Sequence, residues 1–103
     1  MSEEYEEMGI DEVLGGKRKE ILQLAERHGA YNVRVFGSVA RGEAGPDSDI
    51  DFVVDVQPWV GLDFLALWDE LEDLLGREVD LVTERALKPR VRETILREAV
   101  SLT

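Results

Sequence analysis

Apolar residues recur along this chain with two periods, and the switches between them mark out its elements. Over residues 17–28, Ile21, Leu24, Ala25 and His28 fall at i, i+3, i+4 and i+7, which predicts a helix with one buried face, closed by Gly29. Tyr31 to Phe36 is rich in β-branched and aromatic residues and predicts a strand. A loop rich in small residues covers 37–48. Residues 49–56 then alternate, with Ile50, Phe52 and Val54 on one face and carboxylates on the other. After Pro58 and Gly61, Phe64, Trp68, Leu71 and Leu75 line one side of a helix over 62–75, which Gly76 ends. Residues 78–83 predict a third strand. A last helix begins near Pro89, with Val91, Ile95 and Ala99 in one apolar line that Leu96 and Val100 widen. Strands alternating with helices predict an α/β (α+β) fold, a small mixed β-sheet with helices packed against it.

Length limits this pattern to one domain: 103 residues suffice for a single modest core. Residues 17–103 are expected to form it. Residues 1–16 hold Glu3, Glu4, Glu6, Glu7, Asp11 and Glu12 and no basic residue, so they read as an acidic N-terminal arm. Such an arm either frays into solvent or docks through a short helix around Ile10, Val13 and Leu14.

Composition narrows the chemistry. The absence of cysteine removes disulfides, zinc–thiolate sites and cysteine nucleophiles together. No apolar run approaches the roughly 20 residues needed to span a bilayer, and no leader-like segment opens the chain, so a cytoplasmic protein is expected. A net charge of −11 disfavours direct nucleic-acid binding, which runs on lysine and arginine contacts to phosphate. It remains compatible with a nucleotide bridged by divalent cations, and with a basic protein partner.

The stretch that carries chemistry is Gly37-Ser38, ten residues, then Asp49-Ile50-Asp51. Glycine permits a close approach of backbone to phosphate, and N–H groups opening a short helix through Val39 and Ala40 favour anions. Ser38 adds a hydroxyl donor and Arg41 a positive charge. Asp49 and Asp51, at i and i+2 of a strand, present neighbouring carboxylates whose repulsion a divalent cation would relieve; oxygen ligands beside phosphates suit magnesium. In the third strand Val79 and Leu81 are apolar, which leaves Asp80 on the opposite face. If that strand neighbours the Asp49 strand, Asp80 reaches the same metals and could accept the proton of an attacking hydroxyl.

Competing motifs fail on spacing. Gly37 and Gly42 have P-loop spacing, but Glu43 and Ala44 stand where lysine and serine or threonine are required. Asp47, Asp49 and Asp51 imitate an EF-hand start, yet Phe52 and Pro58 occupy the glycine and glutamate positions. A single histidine without cysteine disfavours zinc catalysis. Asp47 and Ser48 read as turn residues, Asp55 as a solvated edge, and the basic residues Arg85, Lys88, Arg90, Arg92 and Arg97 as a solvated face.

From Gly37-Ser38-Val39-Ala40-Arg41-Gly42 through Ser48-Asp49-Ile50-Asp51-Phe52, the chain resembles the DNA polymerase beta nucleotidyltransferase superfamily, and more narrowly its minimal nucleotidyltransferases (MNT). The resemblance implies a nucleotidyltransferase fold and transfer of a nucleoside monophosphate from a triphosphate to a hydroxyl. It implies two magnesium ions on Asp49 and Asp51, one shared by Asp80, with Gly37, Ser38 and Arg41 toward the triphosphate of ATP. Many minimal members are antitoxins that adenylylate a tyrosine of a HEPN-domain ribonuclease toxin, so such a toxin is the expected partner. The alternatives are an antitoxin that neutralises by binding alone and transfer to a small-molecule hydroxyl.

Overall fold

The computed structural model describes residues 7–103. The chain runs α1 (Ile10–Leu14), α2 (Arg18–Arg27), β1 (Ala30–Phe36), α3 (Gly37–Ala40), β2 (Ile50–Val56), α4 (Asp63–Leu75), β3 (Val79–Thr83), a 3-10 turn (Glu84–Ala86), α5 (Pro89–Glu98) and β4 (Val100–Ser101). The four strands form one mixed sheet in the order β3-β2-β1-β4. β1 is antiparallel to β2 and β4, and β2 is parallel to β3 through the α4 crossover.

Burial follows the period-2 pattern on one face. Val33 and Val35 of β1, Ile50, Phe52 and Val54 of β2, and Val79 and Leu81 of β3 pack against Ile21 and Ala25 of α2 and Leu67 and Leu71 of α4. At roughly 1.5–3 kcal/mol for each large buried apolar side chain, this layer supplies most of the drive to fold. Half-buried Trp68 joins it, donating its indole N–H to the Val79 carbonyl at 2.6 Å and meeting Phe64 edge-on.

Part of the expected acidic arm is packed on this domain. Leu14 is 2 % exposed, and Met8 exchanges two backbone hydrogen bonds with Ala44 at 2.9 and 3.0 Å. The docking alternative therefore applies to 8–14, where apolar Met8, Ile10 and Leu14 outweigh the surrounding carboxylates. Glu3, Glu4 and Glu6 lie outside the described residues.

Two expectations at the C-terminus need correction. The apolar line along α5 predicts a buried face, yet no α5 residue is buried and Val91 is 46 % exposed. Val100, expected to extend that helix, instead begins β4, which pairs Val100 with Val35 and Ser101 with Arg34. Leu102 then drops into the core and donates its N–H to the Val33 carbonyl at 3.0 Å. The α5 periodicity is real, but the helix rests on β1 and α3 without inserting a side chain into the core.

His28, at the end of α2, is held between Asp63 (Nδ1 to Oδ2, 2.8 Å) and Glu70 on α4. Burial alone lowers its pKa, but the hydrogen bonds and charges of both carboxylates outweigh this and leave it raised above 6.5. A histidine held more basic when folded stabilises fully below its unfolded value, about 6.5, and loses that contribution as pH rises through the folded value. Against His28→Gln, the wild type should show its largest stability advantage below pH 6.5, and the difference in Tm between the two proteins should shrink as pH rises. A gap that does not vary with pH would remove the charged clamp from this account.

Candidate active site

The opposite face of the sheet is acidic at one end. Asp51 and Asp80 are direct partners across the parallel β2–β3 pair, and Ile50 donates to the Glu78 carbonyl at 3.1 Å to set that register. Adjacent strands lie about 4.8 Å apart, so the two side chains leave one face as immediate neighbours. Asp49 stands one residue before β2 and is exposed. Half-buried Asp51 has its carboxyl pushed up to about 6, by burial first and then by the charges of Asp80 and Asp49, with Arg41 opposing.

Gly37 closes the site from above. Phe36, the last residue of β1, is the partner of Asp51, and the chain then turns sharply with Gly37 at φ 73°. A Cβ at Gly37 would stand 2.2 Å from Asp51 Oδ2, so backbone and carboxylate share space that only glycine leaves open. The short α3 follows, with Ser38 half-buried and Val39 in the core. The loop beyond is pinned at several points. Gly45 donates its N–H to Ser48 Oγ at 2.8 Å, the turn role expected of that serine. Arg77 donates to the Gly45 and Ser48 carbonyls at 3.1 and 3.0 Å, and the Met8–Ala44 bridge braces the loop's start. A cavity of about 320 Å³ opens beside Asp49, lined also by Pro46, Asp47, Ser48 and Arg77.

Arg41 lies at the end of α3, where its guanidinium bonds Glu43 at 2.8 Å and both oxygens of Glu98 at 3.2 and 3.3 Å. Glu98 also accepts the Gly37 N–H at 2.9 Å. Sequence reasoning misses Glu98, because it looks like one more charged residue on an amphipathic helix. The available signal was its place in the last helical turn, where a negative charge opposes the helix dipole.

Other acidic residues belong elsewhere. Asp55, four residues along β2, accepts from Asn32 at 2.9 Å and pairs with Arg34 at 3.4 Å. Arg34 in turn holds Glu84, whose carboxyl is lowered chiefly by that hydrogen bond, and Glu84 also pairs with Arg92. A larger apolar cavity of about 460 Å³, lined by Val56, Val60, Phe64 and Leu81 among others, lies at the far end of β2 and β3 from the aspartates.

The donor set suits a hard divalent cation. It is oxygen-only, and Asp51 is destabilised by its own neighbours, a strain that a cation at Asp49, Asp51 and Asp80 would relieve. Among the described residues no three carboxylate or histidine side chains stand placed to hold one metal ion together. The Asp51–Asp80 register brings two ligands within reach of one ion without moving the backbone.

A strand, a glycine turn held against an aspartate, and a second aspartate on the next parallel strand stand together at one end of the sheet, the arrangement that the sequence pattern led one to expect. The chain belongs to the nucleotidyltransferase domain family, whose pattern matches residues 17–102. It is 45 % identical over 92 residues to the protein adenylyltransferase MntA of Thermococcus cleftensis, a match covering 88 % of this chain and 90 % of that protein. Among solved structures, one described provisionally as a minimal nucleotidyltransferase superposes with a TM-score of 0.79 at 53 % identity, covering 86 % of this chain and 92 % of the other. A chain of a toxin–antitoxin structure with AMP-PNP shares the fold, with a TM-score of 0.72 at 22 % identity, covering 84 % of this chain and 72 % of that one.

Proposed function

We propose that this chain transfers AMP from ATP to a hydroxyl of a protein, and that the acceptor is a tyrosine of a HEPN ribonuclease toxin which it silences. The observation that carries the catalytic part is the pairing of Asp51 with Asp80 beneath the Gly37 turn. The MntA name of the 45 % identical relative supports adenylyl transfer to a protein. The toxin and its tyrosine rest on the resemblance to the minimal nucleotidyltransferases.

Asp49, Asp51 and Asp80 would hold magnesium, which when bound supplies positive charge that draws the triphosphate onto the carboxylates and offsets charge on the departing pyrophosphate. The Gly37 N–H, the Ser38 hydroxyl and Arg41 bind the phosphates and fix the α-phosphorus in line. The acceptor oxygen forms a bond to that phosphorus while the α–β anhydride bond breaks. The electron pair leaves with pyrophosphate, and Asp80 accepts the hydroxyl proton and passes it to solvent. Exposed on the edge strand β3, Asp80 is open to an incoming protein side chain.

The test combines the chain, ATP, magnesium and the toxin encoded beside it, followed by mass spectrometry of the toxin. One added AMP on tyrosine, with loss of ribonuclease activity, is expected. Neutralisation that survives Asp49→Asn/Asp51→Asn, without any added mass, would replace this reading by simple binding.

A further inference from the structure

Glu98 stands where the site should be open. Its carboxylate accepts the Gly37 N–H and grips Arg41 with both oxygens, so one side chain satisfies two of the three groups expected to hold phosphate. The placement is locally unfavourable. Glu98 is the last residue of α5, at the negative end of the helix, and its charge adds to those pressing on Asp51. Two charge-assisted contacts compensate, and they have the geometry of an anion bound between an amide and a guanidinium.

The fold fixes this position. β4 pairs Val100 with Val35, which brings the preceding residues alongside Phe36 and Gly37. The Glu98 side chain itself is not packed into the core, since no residue of the helix is buried. Glu98 can therefore leave its partners at little cost in packing.

We propose that Glu98 is an internal phosphate surrogate: in the nucleotide-free protein its carboxylate occupies the triphosphate subsite made by the Gly37 amide and Arg41, and nucleotide binds by displacing it. The inference rests on the nucleotidyl-transfer reading of the site. It makes α5 a determinant of nucleotide affinity, and gives the protein a way to keep Arg41 and the glycine turn in place between turnovers. Displacement also brings a gain, because removing Glu98 from beside Asp51 lowers the charge crowding that a metal–triphosphate must overcome.

The experiment is titration calorimetry with magnesium and an α,β-methylene analogue of ATP, which binds but cannot be cleaved at the transferred bond. If Glu98 is docked in about nine-tenths of free molecules, removing it tightens the apparent Kd about tenfold. Glu98→Ala should show that full gain. Glu98→Gln, which can still accept the Gly37 N–H but has lost its charge, should show a smaller one. In the wild type, the Gly37 amide resonance should move on adding the analogue; in Glu98→Ala it should be shifted before any ligand is added. Wild-type binding with equal or weaker binding by both variants overturns this proposal alone. Binding by none of the three proteins overturns the nucleotide reading, and this proposal with it.

Discussion

Asp51→Asn is expected to reduce nucleotidyl transfer on the order of 10²–10³-fold or more while making the metal-free protein more resistant to heat. Both effects have one origin. The Asp51 carboxyl is half-buried, faces Asp80 across the strand pair and feels Asp49 and Glu98, and together these carry it from 3.8 to about 6. At neutral pH it is ionised in the folded and the unfolded chain, so the full cost of that environment falls on folding. The ceiling is roughly 3 kcal/mol at about 1.36 kcal/mol per pKa unit. Because the side chain still reaches water, about 1 kcal/mol is the better expectation, or roughly 4–8 °C in Tm. The gain should be full above pH 6 and shrink as pH falls, with most of it gone by pH 4, where the folded carboxyl is neutral and the unfolded one is near its midpoint. Melting curves in chelator at pH 7.5 and pH 4 measure it. Adding magnesium should then stabilise the wild type and leave Asp51→Asn nearly unchanged. A variant less stable than wild type at neutral pH would mean that Asp51 serves the fold and not a charge-loaded site.

Gly37→Ala should lose transfer at least about 100-fold, for a geometric reason. The new methyl group would stand 2.2 Å from Asp51 Oδ2, so either the carboxylate or the turn must move, and displacements near 1 Å at a reacting centre cost about that much. The residue also has φ 73°, where a side chain costs about 1–2 kcal/mol. Gly42→Ala separates the two effects. Gly42 has φ 74°, but nothing lies within 4 Å of a Cβ placed there. It should show a similar loss of stability and keep most of its activity. Equal activity losses in the two variants would assign the effect to backbone strain and remove the special contact between Gly37 and Asp51.

Most of the framework was legible because its signals are local. The alternation through Ile50, Phe52 and Val54 against the aspartates requires a one-sided strand, and Val79 and Leu81 place Asp80 by the same rule. That these strands are neighbours was only a condition in the sequence; the register that pairs Asp51 with Asp80 supplies it. Val53 shows where the one-sided reading is too simple. It lies on the carboxylate face and is still fully buried, where the 3-10 turn packs against β2.

The C-terminal features were hidden for a different reason. β4 spans only two residues, too few to set a period, and its existence depends on Val35 and Arg34 having a free edge to offer. Glu98 belongs to the site through that pairing, over a separation of 61 residues from Gly37. Likewise His28 reads as a helix-end residue until Asp63 and Glu70 arrive from another helix. Periodicity shows which face of an element is apolar. It is silent on which charged residue from a distant element that face will meet.

The most direct test of the central claim uses ATP labelled in parallel at the α- and the γ-phosphate, with magnesium and the proposed toxin partner. The α-label should become covalently attached to protein, the γ-label should leave entirely in pyrophosphate, and Asp49→Asn/Asp51→Asn should abolish both. Transfer of γ-label to the acceptor, or undiminished α-label transfer by the double variant, would contradict that claim.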